Sequence, residues 1–167
     1  VQFRVVGFAF LGLAAGLILW LAWQFALVVP KQEIATRLQV SHYDVDGRTL
    51  QEIRDQLRAR GPAGFAARTD WQITTGLTCR VTLETQIRLP RHTDVASLAR
   101  ALKGRWLSFE RSLRLHEHTH QFHGLSAARD IAKHRCFGTG RIIADWAQQD
   151  RLLDESTGHG WSEGVRF

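Results

Sequence analysis

The chain's most specific chemistry lies in Leu115-His116-Glu117-His118-Thr119-His120, which contains the pattern H-E-x-x-H. On a helix, residues four apart share a face about one turn apart, so His116 and His120 can turn ring nitrogens toward a single metal ion. Zinc suits two neutral imidazoles and one further protein donor. Water in the open position of such a site is acidified to a pKa near ~7. Glu117 is the adjacent carboxylate, placed to take that water's proton as general base.

The third donor has to come from elsewhere. His118 is two residues from His116 and points to the opposite face. His123 shares the face but lies seven residues along, about 10 Å by helical rise, too far for one tetrahedral ion. It is read as a neighbour of the site. His159 is the expected third ligand, because Gly158 and Gly160 on either side free the backbone to approach a two-histidine helix from outside. Asp154, Glu155 and Glu163 are the carboxylate alternatives, and Asp130 or Asp145 could orient a ligating imidazole. The metzincin extension of the motif is absent: its glycine position holds His123, its third histidine position holds Ser126, and there is no methionine for a Met-turn.

The elements around the motif bear on whether it is a site at all. Val95, Ala99, Leu102, Trp106, Phe109 and Leu113 are spaced alternately by four and three, the buried stripe of an amphipathic helix. His116 and His120 continue that stripe, so both face the core. Gly104 and Gly124 interrupt the run, which predicts two or three helices in place of one.

Before this region, residues 36–45 alternate as a strand, and Asp46-Gly47 signals a turn. Thr49 and Glu52 form a capping box for a helix that ends near Arg60, before Gly61-Pro62. Trp71–Thr75 and Cys79–Leu89 read as two strands of a hairpin ended by Pro90, and Thr93 or Asp94 caps the helical region beginning near Val95. A last helix is expected from Arg141 to Leu153. Strands first and helices after indicate an α+β domain.

From Val5 to Val29 the only polar side chain is Gln24, and about 20 apolar residues suffice to cross a bilayer. Residues 1–30 are therefore read as an uncleaved transmembrane anchor, with Trp20 and Trp23 at the interface, and residues 31–167 as one domain. The full expectation is an α+β chain: an N-terminal transmembrane helix, then a domain with a small antiparallel sheet and a zincin-like HExxH helix. Cys79 and Cys136, the only two cysteines, make either one disulfide in an exported domain or two buried thiols. The net charge is +6, but acids are interleaved throughout and no basic stripe carries stacking aromatics, so nucleic acid is not an expected partner. A solvated surface or contact with anionic lipid accounts for the excess of arginine.

These features together resemble a family of bacterial predicted secreted zinc-dependent proteases, long catalogued only as a domain of unknown function. The resemblance runs from Tyr43 to about Gly164. It rests on Tyr43-Asp44-Val45-Asp46-Gly47 with the capped helix after it, the Cys79 strand ending in Leu89-Pro90, Trp106 and Phe109 ahead of the motif, and Asp154-Glu155-Ser156-Thr157-Gly158-His159-Gly160. Leu153 stands where that ending usually has a tyrosine. Motif and resemblance point to a zinc metallopeptidase acting on protein or peptide substrates from the periplasmic or outer side of the inner membrane. His116, His120 and His159 are expected to hold zinc, and Glu117 to act as base. Tyr43 or His123 is the candidate donor to an oxyanion. The alternative is a membrane-tethered metal-binding or interaction module without turnover.

Overall fold

The computed structural model describes residues 34–167. Its frame is a three-stranded sheet of β1 (Ile34–Val45), β2 (Arg68–Thr75) and β3 (Val81–His92) in the order β1-β3-β2. Helix α1 (Leu50–Arg60) follows β1, and helices α2 (Arg100–Lys133) and α3 (Thr139–Thr157) follow β3. In β3 the alternation predicted from sequence is realised. Val81, Leu83, Thr85, Ile87 and Leu89 are buried on one face, and Glu84, Gln86 and Arg88 are exposed on the other.

The expectation of an antiparallel sheet is corrected. The sheet is mixed: β2 pairs antiparallel with β3, but β1 pairs parallel with it, with Ile34 opposite Val81 and Val45 opposite His92. Parallel neighbours need a long crossover, here supplied by α1 and β2. Among the described residues no helix is long and apolar enough to cross a membrane. The apolar stretch from Val5 to Val29 lies outside the described residues.

Other boundaries shift for local reasons. Pro90 does not end β3. It lies past the last β2–β3 pair, Arg68 with Arg88, where one side of the strand is already free and a missing N–H costs little. Cys79 precedes β3 in a turn, with φ of 57°, and is bonded to Cys136 in the turn between α2 and α3. The disulfide thus links the β2–β3 turn to the end of the long helix.

The helical region is also simpler than its glycines suggest. Asp94 caps a short 3-10 turn, Val95–Ser97, by accepting from the Ser97 N–H. Helix α2 then runs unbroken through both glycines. Gly104 is exposed with open space around it, and a helix-interior glycine costs only about 1 kcal/mol. Gly124 has a packing role: a Cβ there would stand 2.7 Å from Cγ of Trp71. Helix α3 starts and ends beyond its predicted limits, between left-handed Gly138 and Gly158.

Helix α2 packs on β2 and β3, and its buried stripe divides into three parts. Trp106, Phe109 and Leu113 join Tyr43, Ile53, Ile87 and Leu89 in one apolar core. Ala128, Ile131 and Ala132 join Val81 and Leu83 in a second. Between them the stripe is polar: His116, Glu117 and His120. The sheet shows the same break, since buried Thr85 separates Leu83 of one core from Ile87 of the other. The site occupies the gap between two packed halves.

Candidate metal centre

His116, Glu117 and His120 are 4, 5 and 7% exposed. Helical geometry points both imidazoles the same way, and their Nε2 atoms stand 3.3 Å apart. Helix α3 brings Asp154 against them, with Oδ1 3.1 Å from His116 Nε2 and 3.2 Å from His120 Nε2. Donors ~2.0–2.1 Å from one tetrahedral zinc ion stand ~3.3–3.4 Å apart, so these three atoms have nearly the spacing of one face of such a site.

The protonation pattern strengthens the fit. His116 donates from Nδ1 to Oε2 of Glu163 at 2.8 Å, and His120 donates from Nδ1 to Oδ1 of Asp150 at 3.0 Å. An ionised carboxylate only accepts, so each Nδ1 carries a hydrogen, and in the neutral ring this leaves Nε2 its lone pair. When the rings are neutral, two lone pairs and a carboxylate oxygen converge on one point. A cation satisfies that arrangement, and the partners at Nδ1 orient the rings for it.

A second group, His120, His123 and Asp150, also brings three such atoms together. Its spacing differs. His123 Nδ1 is 2.6 Å from Asp150 Oδ1, a hydrogen-bond length well short of the separation of two ligands on one ion. Asp150 is therefore a clamp that takes His120 and His123 on one oxygen and the Trp71 indole N–H on the other. Burial pushes the Asp150 carboxyl up, but the hydrogen bonds from His120, His123 and Trp71 outweigh it and hold the group below its usual range. For His120, burial works against the charged ring, yet the hydrogen bond and charge of Asp150, with Asp154 and Glu117, raise its pKa.

Glu117 faces the cleft beside the triangle. Its Oε2 accepts from the Thr69 hydroxyl on β2 at 2.7 Å, leaving Oε1 free. Burial raises the Glu117 pKa, against the lowering effects of Thr69, His120 and His116, and Asp154 adds to the rise. A carboxyl tuned upward in a cleft is better suited than an ordinary one to returning a proton it has taken. The cleft holds about 260 Å³ and is lined by the Phe65–Asp70 segment, the α2 histidines, Asp150, Asp154 and His159.

The remaining sequence candidates fall into distinct places. His159 has left-handed backbone, φ of 53°, and a side chain 54% exposed at the cleft mouth. Its Nδ1 is 3.5 Å from Asp154 Oδ1 and its ring lies 4.6 Å from that of Phe65, which places it beside the triangle of His116, His120 and Asp154. Of the flanking glycines, Gly160 packs on His116. A Cβ on Gly160 would stand 3.1 Å from Cγ of His116, so the loop can close over that ring only with glycine there. Glu163 orients His116 instead of joining the triangle. Glu155 is exposed at the end of α3, outside both groups. Tyr43 is in the core, donating to the Ala66 carbonyl at 2.6 Å, with burial holding its phenol well above the ordinary pKa. His123 is committed to Asp150. Asp130 accepts from the Trp146 indole at 2.9 Å, and Asp145 lies exposed 3.9 Å from Arg141, so neither orients a ligand. His118 is exposed, bonded to Gln121.

Two functional groups were not found from sequence. Thr69 carries no sequence signal. Asp150 did carry one: Asp150 and Asp154 are four apart on a helix, the same spacing that singled out His116 and His120.

A family model described as "Bacterial protein of unknown function (DUF922)" matches residues 40–135. The match includes Thr69, His116, Glu117 and His120, and stops before Asp150, Asp154 and Glu163. No curated protein and no solved structure matches the chain.

Proposed function

This chain belongs to the bacterial protein family DUF922, and from that premise we propose that its cleft is the active site of a zinc-dependent peptidase. The observation that carries the reading is the triangle of His116 Nε2, His120 Nε2 and Asp154 Oδ1 beside a buried carboxylate of raised pKa. His116, His120 and Asp154 would hold the ion. When bound, zinc supplies acidification of water and polarisation of a carbonyl oxygen.

The chain's own residues account for the proton traffic. Thr69 ties down Glu117 Oε2, so Oε1 is the atom that accepts the proton of the attacking water. The raised pKa keeps the protonated form within reach, and that form delivers the proton to the departing amide nitrogen. Glu163 and Asp150 hold the two imidazoles in the tautomer that leaves Nε2 free. Because Cys79 and Cys136 are joined, we place the working enzyme in an oxidising compartment of the bacterium, where such a bond persists.

Elemental analysis of the purified chain beside His116→Ala, Asp154→Ala, His159→Ala and Glu117→Gln variants tests this. The expected result is one zinc per chain in wild type, His159→Ala and Glu117→Gln, and none in the other two. Glu117→Gln should also lose cleavage of an unstructured protein substrate by a factor of ~10² or more. A folded wild-type chain that stays metal-free with added zinc would end the enzyme reading. Full turnover by the zinc-loaded Glu117→Gln variant would remove Glu117 as the base.

A further inference from the structure

Helix α2 carries a second apolar line on the side opposite the site. Leu107, Leu115 and Phe122 are 45, 64 and 55% exposed. Their spacings of eight and seven keep them on one face, over about 22 Å of helix. Arg111 lies between the two leucines, Arg114 beside them, and Arg100, Lys103 and Arg105 at the N-terminal end, all exposed. Glu110 is the only acid between Arg100 and His116, and Arg114 already pairs with it at 2.8 Å.

We propose that this outward face of α2 docks the protein onto an anionic lipid surface. Leucine and phenylalanine separated by arginines are what an interfacial helix presents: the apolar groups enter the acyl boundary and the guanidinium heads reach lipid phosphates. Charge complementarity selects the anionic surface, because each basic group near it adds attraction that a zwitterionic surface does not return. Leu107, Glu110, Arg111, Arg114 and Leu115 surround a wide-open depression on this face, in which the apolar groups lie among arginine heads. The face has no row of aromatics on which nucleic-acid bases could stack. His116, Glu117 and His120 are on the buried side of the same helix, so docking leaves the cleft open.

The test uses the full chain carrying a spin label at Leu115→Cys, the native cysteines being joined to each other. Vesicles of phosphatidylcholine alone are compared with vesicles containing phosphatidylglycerol. On the anionic vesicles the label's accessibility to oxygen relative to a water-soluble nickel chelate should rise roughly tenfold, the signature of an apolar face entering the boundary. Arg111→Glu with Arg114→Glu, or high salt, should return it to the value in water. Circular dichroism checks the fold, and a label at Phe122→Cys gives the same reading if the first variant misfolds. A label that stays in water while the chain is bound to anionic vesicles overturns the proposal, as does equal burial on neutral vesicles. A label already buried without vesicles would mean that another copy or protein covers this face, and would overturn it too.

Discussion

The Thr69 hydroxyl lies 2.7 Å from Oε2 of Glu117, a contact that reaches from strand β2 to helix α2 and selects which carboxylate oxygen faces the cleft. Thr69→Val keeps the shape and removes the donor. That hydrogen bond lowers the Glu117 pKa, so its loss raises the pKa further. The base form is the ionised one, so the acid limb of the kcat/KM profile should move to higher pH, with activity on that limb falling about tenfold. An unmoved acid limb would show that Glu117 is not the titrating group.

Zinc affinity should fall on acidification, starting above the ordinary histidine range near ~6.5. The His120 pKa is raised in the metal-free site by Asp150 and its neighbours, and a proton there competes with the ion. Affinity is therefore greatest above the raised pKa and drops about tenfold per pH unit below it. Asp150→Asn removes the charge that raises it, so the onset moves to lower pH, while the lost orientation weakens binding ~10–100-fold at every pH. Chelator competition across the pH range separates the two effects.

Gly124→Ala should disturb the site from behind. The added Cβ meets the Trp71 ring at 2.7 Å, and that ring donates to Asp150. Overpacking of this kind costs about 1–3 kcal/mol. Denaturant unfolding should report that loss, and zinc affinity should fall with it. An unchanged affinity would mean that Asp150 keeps its position without Trp71.

Replacing both cysteines by alanine should destabilise the domain by about 4 kcal/mol, the loop-closure value for a bond between residues 57 apart in sequence. The bond joins the turn after β2, which carries Thr69, to the junction before α3, which carries Asp150 and Asp154. Zinc affinity should therefore fall along with the unfolding midpoint, and retained affinity would confine the bond's role to stability.

Much of this was legible from spacing alone. The alternation of three and four from Trp106 through His120 fixed both the helix and its inward face, and Thr49 with Glu52 formed the expected capping box. What sequence could not supply was pairing between distant segments. Whether β1 lies parallel to β3 depends on where a crossover returns, and nothing local in residues 36–45 records it. The glycines at 104 and 124 misled because propensity is a small local cost, and in α2 packing outweighs it. The placing of Asp154 against the two imidazoles followed the same limit. Glycines marked His159 as adaptable, but Gly160 packs on His116, and Asp154 lies on a helix whose inward face was defined only by its contact with α2.

The order in which these groups occur along the chain has a consequence for synthesis. Thr69, His116 and His120 emerge first, Asp150 and Asp154 some thirty residues later, and Glu163 later still. A nascent chain that has completed α2 owns the base and two imidazoles but neither the third donor nor the carboxylates that set the ring tautomers. Such a chain cannot hold zinc in this geometry. On the function proposed, activity begins only once the last helix has docked against α2, and a chain that stops before α3 lacks it.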